Sequence, residues 1–101
     1  MFLAMNRFKI ALGREEEFID HWRRRESHLD SVPGFVRFHL LKGETNAEYT
    51  LFASHTEWVS EQAFADWTRS EAFMKAHANA GRSARELYLG GPQLELFEAI
   101  L

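Results

Sequence analysis

The residues best suited to chemistry in this chain are an asparagine in an apolar setting, a histidine late in a helical segment and a tryptophan ten residues before it. Asn6 stands among Phe2, Ala4, Phe8 and Ile10, on the side of an alternating segment that should face a core. A buried amide without a partner costs about 1–3 kcal/mol, so Asn6 must either bond to nearby backbone or aim a polar group into a pocket. His77 is one of five histidines, the others being 21, 28, 39 and 55, and no pair has the i, i+4 spacing of a helical zinc site. A structural metal is therefore not expected. On an unbroken helix Trp67, Ser70, Met74 and His77 would share one stripe, since offsets of 3, 7 and 10 residues return to similar directions. Such a stripe either packs on a sheet, with His77 capping its end, or lines a pocket. Trp22 poses the same choice between core packing and stacking on a ligand. Arg23, Arg24 and Arg25 read as a solvated helix face from which one guanidinium could reach a ligand carboxylate.

Other catalytic constellations are missing. There is no glycine-rich phosphate loop, no nucleophile elbow and no cysteine to pair with a histidine. The acidic side chains fall mostly at a helix start or at exposed positions.

The elements that must position these residues can be read from periodicity. Phe2 to Ile10 alternates as a half-buried strand. Arg14 to about Leu29 reads as a helix, with Glu15, Glu16 and Glu17 in its first turn, arginines further on, and an apolar stripe of Phe18, Ile19, Trp22 and Leu29. Val32-Pro33-Gly34 is a turn, Phe35 to Lys42 a second strand, and Glu48 to His55 a third that pairs with it as a hairpin. A second helical region starts near Ser60 and ends before Gly81, with an interruption allowed at Thr68-Arg69-Ser70. Residues 79–91 read as a mobile loop, and Gln93 to Leu101 as a last strand. The order strand, helix, strand, strand, helix, strand is the split βαβ arrangement, an α+β ferredoxin-like fold in a single domain over 1–101. A four-stranded antiparallel sheet with both helices on one face leaves the other face bare, which a second copy could cover as a homodimer.

Composition narrows the function. Of 101 residues 46% are hydrophobic, enough for a core in one domain. A net charge of −3 argues against nucleic acid as a partner. The apolar opening Met1 to Met5 is interrupted by Asn6, Arg7 and Lys9 before it could span a membrane, and the lack of cysteine fits a reducing, cytoplasmic setting. Aromatics reach 14%, with nine Phe, three Trp and two Tyr, which suits a flat apolar ligand or an apolar interface.

Three segments carry a resemblance to a known family: Asn6-Arg7 with Gly13; Pro33-Gly34-Phe35; and Glu61-Gln62-Ala63-Phe64-Ala65-Asp66-Trp67 continuing through Ser70, Phe73 and Ala76-His77. The sequence is similar to the IsdG-type heme-degrading monooxygenases, within the antibiotic biosynthesis monooxygenase superfamily. The resemblance spans nearly the whole chain and is weakest over 79–91. It implies an ABM-type domain forming a dimeric α+β barrel, with heme as both substrate and cofactor, oxygen, and an external electron donor such as a reductase. In it His77 is the axial ligand of heme iron, Asn6 hydrogen-bonds toward the iron-bound oxygen, and Trp67 presses on a ruffled porphyrin. Trp22, Arg25 (toward a propionate), Phe64 and Met74 complete the pocket. The implied reaction opens the porphyrin ring at a meso carbon and releases iron and a bilin such as biliverdin. Two other functions compete: a cofactor-independent monooxygenase of the same superfamily acting on a quinol or polyketide, and a noncatalytic heme-binding or delivery protein.

Overall fold

The computed structural model describes residues 1–24, 29–70, 73 and 87–101. Its elements are β1 (Phe2–Ala11), α1 (Glu15–Arg23), a short 3₁₀ turn (Leu29–Ser31), β2 (Phe35–Thr45), β3 (Tyr49–Trp58), α2 (Glu61–Thr68) and β4 (Gln93–Glu98). The four strands form one antiparallel sheet in the order β2-β3-β1-β4, with β1 and β3 in the middle. This is the ferredoxin-like arrangement that the element order implies.

The alternation of β1 decides which side is covered. Phe2, Ala4, Phe8 and Ile10 are buried beneath the helices, while Arg7 and Lys9 are exposed on the other side. Phe18 of α1 lies against Phe8 and Phe52, and Phe64 of α2 against Phe2 and Trp58. Each of these buried rings contributes roughly 1.5–3 kcal/mol by leaving water.

Several boundaries differ from the sequence reading. The first helix is shorter, and Leu29 reaches the core from the separate 3₁₀ turn rather than from a continuing stripe. The hairpin strands are longer: β2 runs to Thr45, where the Asn46 side chain accepts from the backbone N–H groups of Glu48 and Tyr49 (2.7 and 2.9 Å) and closes the turn late, and at the far end β3 continues to Trp58, paired with Phe35. A register shift between Phe35 and Arg37 breaks the period of two, so that Phe35 and Phe38 both face inward. The second helix stops at Thr68. Ser60 caps its start by accepting from the Ala63 N–H at 3.1 Å. After its end, the Ser70 hydroxyl donates to the Trp67 carbonyl at 2.6 Å and accepts from the Phe73 N–H at 3.2 Å. The break allowed at Thr68-Arg69-Ser70 is therefore real, and the single stripe from Trp67 to His77 loses its geometric basis. The last strand ends at Glu98.

The described end of the 79–91 segment is not loose. Leu87 is buried in the core, Tyr88 bridges to Ile10, and the Leu89 N–H donates to the Lys9 carbonyl at 2.8 Å. Gly34 has φ +83°, and a β-carbon there would collide with that of Ala63, so the turn brings β2 and α2 together only as glycine.

At the other end of the sheet the Thr50 hydroxyl donates to the Glu15 carboxylate at 2.9 Å, which leaves Thr45 as the donor to Thr50, also at 2.9 Å. The N–H of Glu15 itself, then the Thr50 hydroxyl, hold the Glu15 carboxyl below its ordinary value. A depressed carboxyl contributes stability that is complete above its unfolded value and is lost as pH falls through the folded one. Glu15→Gln should thus flatten the acid side of the stability–pH profile, with a loss of stability at neutral pH that disappears as pH falls through the acid range. Urea midpoints measured across the acid range test this, and an unchanged acid slope would rule it out.

Candidate functional site

The helix side of the sheet carries two aromatic clusters rather than one continuous core. The first gathers Phe8, Ile10, Phe18, Phe52 and Leu87, with Trp22 and Tyr88 at its edge. The second gathers Phe2, Ala4, Leu29, Trp58 and Phe64, with Phe38 and Trp67 at its edge. Asn6 lies between them on β1, after Ala4 of the second cluster and before Phe8 of the first. The register sets it opposite Ser54 on β3 and Leu94 on β4, and Leu40 of β2 faces Ser54. The floor of the seam is thus a row of Leu40, Ser54, Asn6 and Leu94.

Trp58 and Thr56 on this side have their polar groups satisfied. The Trp58 indole N–H donates to Thr56 at 2.9 Å, and the Thr56 hydroxyl donates to the Ala4 carbonyl at 3.4 Å. Asn6 is the contrast: its Oδ1 is shielded from solvent and has no hydrogen-bond partner among the described residues. The backbone bond that would make it a purely structural residue is not made to this oxygen. Turning the amide about its last bond exchanges acceptor for donors with little change in shape, so the seam can present either to a ligand.

The two tryptophans lie at the edges of the two clusters. Trp22 stacks on Phe38 with centroids 5.5 Å apart and an interplanar angle of 19°, and also meets Phe8 at 6.0 Å. It thus joins the edges of the two clusters. Trp67 lies over Trp58 at 5.2 Å and meets Phe73 edge-on at 4.8 Å. Phe64 is packed among Phe2, Trp58 and Trp67. Arg25, Met74 and His77 lie outside the described residues. Trp22 and Trp67 thus stand at the edges of the two clusters, Phe64 within the second, and Asn6 on the strand between them.

The sequence reading missed Ser54, which adds a half-buried hydroxyl beside Asn6. Its signal was available in the alternation Phe52, Ser54, Thr56, Trp58 once β3 is extended to Trp58. The reading also missed His21, whose Nε2 is buried without a partner among the described residues. A further recess of about 400 Å³ between the Val32–Gly34 turn and α2 touches Trp67 and Ser70 but not Asn6. It belongs to the packing of turn on helix.

The sequence profile of the antibiotic biosynthesis monooxygenase family matches residues 1–79. The chain belongs to this family. Heme-degrading monooxygenases of Bacillus thuringiensis (strain Al Hakam) and Bacillus cereus (strain AH187) are each 28% identical to this monooxygenase-family chain over 81 residues, covering 80% of it and 75% of their own length. Among solved structures, the heme degrader MhuD of Mycobacterium tuberculosis, with two hemes in its active site, superposes with a TM-score of 0.73 at 28% identity, covering 100% of this chain and 97% of that one. The cofactor-independent oxygenase SnoaB of Streptomyces nogalater is similar at TM-score 0.68 and 26% identity, covering 97% and 91%. The proteins it resembles thus include a heme degrader and a cofactor-independent oxygenase.

The unpaired amide of Asn6 has a measurable consequence. Replacing it with an apolar residue of similar size removes the desolvation cost without opening a cavity. In the ligand-free protein Asn6→Leu should raise the unfolding free energy by roughly 1 kcal/mol. Urea denaturation checks this, and a lower midpoint would show that Asn6 is structurally satisfied after all.

Proposed function

We propose that this chain is a heme-degrading monooxygenase, and the observation that carries the reading is the buried, unpaired Oδ1 of the half-buried Asn6 on the strand between two aromatic clusters. A flat, apolar macrocycle suits such a seam, and one polar handle on its floor suits a reaction in which oxygen must be oriented. The chain opens the porphyrin ring at a meso carbon with O2 and electrons from an external donor such as a reductase, releasing iron and a bilin such as biliverdin. Its similarity to heme-degrading monooxygenases and to MhuD supports this choice within the family.

When bound, heme supplies the iron at which oxygen is activated, so it is substrate and cofactor together. The protein's part is binding and orientation. His77 would hold the iron through a neutral imidazole. Asn6 holds its amide toward the site of oxygen chemistry, with Ser54 beside it. Trp67, backed by Trp58 and Phe64, would set a bulky indole against the ring. By family resemblance Trp22, Met74 and Arg25 would contribute to holding heme, with Arg25 serving a propionate; Met74 and Arg25 lie outside the described residues. A cytoplasmic setting accompanies the reading because the electrons must come from a cellular donor.

The assembly we infer is a homodimer. Its support is the sheet face opposite the helices, where Leu3, Met5, Leu51 and Ala53 lie in the middle strands and Leu41 and Phe97, 41% and 48% exposed, on the outer ones. Sedimentation that returns only a monomer mass at micromolar concentration would count against it.

Hemin titration of the purified protein should give a saturable Soret shift that His77→Ala abolishes. No shift, or the same shift in His77→Ala, would sink the heme reading; with no shift, the cofactor-independent oxygenase takes its place. With reductant under air the Soret band should decay and a chelator should trap ferrous iron. A persistent spectrum would instead mark a noncatalytic carrier. Asn6→Ala should still bind hemin but turn it over roughly 10²–10³ times more slowly, the usual cost of losing one oriented donor.

A further inference from the structure

Asn6 can keep its donor turned toward a ligand only if its acceptor is provided for, and the strand pairing leaves one neighbour able to do that. Oδ1 is shielded from solvent and has no partner among the described residues. Directly across from Asn6 stand Ser54 of β3 and Leu94 of β4. Leucine has nothing to donate. Ala4 and Phe8, the same-face neighbours along β1, are apolar, and so are Phe52 and Leu96, diagonal to Asn6 on β3 and β4. The remaining diagonal residue, Thr56, has spent its one O–H on the Ala4 carbonyl at 3.4 Å. β1 is a middle strand, so its backbone N–H groups serve the ladders to β3 and β4. Among the strand neighbours of Asn6, the Ser54 hydroxyl is the donor that remains.

The pairing also sets the reach. Residues directly opposite in an antiparallel pair hold their β-carbons about 4.5–5.5 Å apart on one face, close enough for a serine hydroxyl, which swings about a single side-chain bond, to meet an asparagine oxygen. The two groups are not bonded to each other as they stand. Ser54 is half-buried, so water can reach its side chain and serve the hydroxyl. Once a flat ligand covers the row, that water is excluded, and a hydroxyl that loses water must find another acceptor. Oδ1 is the shielded acceptor beside it. With the carbonyl held toward β3, the amide can no longer turn, and its NH2 group lies on the other branch of the plane, free to donate to the ligand.

We propose that Ser54 is the positioning residue of this site, donating to Asn6 Oδ1 when heme covers the row and thereby fixing the amide with Nδ2 toward the ligand. This role rests on the heme reading, from which the following titration separates it. Isotope-labelled protein is titrated with zinc(II) protoporphyrin IX, which is diamagnetic and does not turn over, and the Asn6 Cγ resonance is followed by NMR. Accepting a hydrogen bond moves a carbonyl carbon downfield, whereas the porphyrin ring current acts alike on every variant. The bound-state resonance should lie further downfield in the native protein and in Ser54→Thr than in Ser54→Ala. With hemin and reductant under air, Ser54→Ala should turn over roughly 2–10-fold more slowly, the worth of one neutral hydrogen bond, and Ser54→Thr at the native rate. In an Asn6→Ala background Ser54→Ala should add no further loss, because Ser54 acts only through the amide. Porphyrin binding with the same Cγ position in Ser54→Ala and the native protein, or rate losses that add in the double variant, would overturn the role of Ser54 and leave the heme reading standing. Failure of the native protein to bind the porphyrin would overturn the heme reading, and this role with it.

Discussion

The packing of two short helices on one strand governs this structure. Each helix buries one phenylalanine against the sheet, Phe18 from α1 and Phe64 from α2, and each recruits its own set of aromatic neighbours from β1 and β3. The two sets do not merge on β1, because the residue between them is Asn6. The seam follows from that one polar position in an otherwise apolar row. A leucine at position 6 would let the clusters close into a single core, as the side chains on either side of it already do within each cluster. The tryptophans complete the arrangement, since Trp22 and Trp67 are the half-buried rim of the two clusters and not their buried centres.

Much of this was legible before any coordinates, and the parts that were not have identifiable causes. The alternation of β1 was readable because one face is buried and the other solvated, so each residue type reports its side. The N-cap at Ser60 and the break at Thr68-Arg69-Ser70 were readable because hydroxyl side chains compete for backbone partners near helix ends. The bulge at Phe35–Arg37 was hidden, since an extra residue shifts the pattern without any distinctive residue type. The end of the 79–91 segment was misread because its composition is polar and glycine-rich while its anchors, Leu87 and Tyr88, are only two residues. Stripe arithmetic on an assumed continuous helix joined Trp67 to His77, and the helix end at Thr68 removes that link. The grouping of His77 with Asn6 and Trp67 thus rests on family resemblance rather than on periodicity.

The two sides of the sheet differ in chemistry for the same topological reason. Strand order β2-β3-β1-β4 puts β1 and β3 in the middle, so any feature shared by both faces must be built from these two strands. On the helix side they contribute Asn6 and Ser54. On the opposite side the adjacent residues Met5 and His55 are paired in turn. One dipeptide step, Met5-Asn6 against Ser54-His55, therefore supplies the centre of both faces. A slip of one residue in this register would exchange the two faces and bury the histidine in the aromatic layer, where an imidazole without a partner is costly.

The choice of an amide at the centre of the seam has an energetic logic of its own. An unpaired carboxylate or ammonium there would cost several kcal/mol even after local relaxation, a large share of the roughly 5–15 kcal/mol that holds a domain together. It would also have to neutralise or find a counter-ion, which would fix its hydrogen bonding in advance. A neutral amide costs about 1–3 kcal/mol, within reach of what the surrounding rings contribute by burial. It keeps both a donor and an acceptor available, and it does not change charge with pH. Such a group leaves the fold stable while empty and has most to gain when a ligand supplies its missing partner. The aromatic residues on either side of it supply burial that offsets the cost of its unsatisfied oxygen.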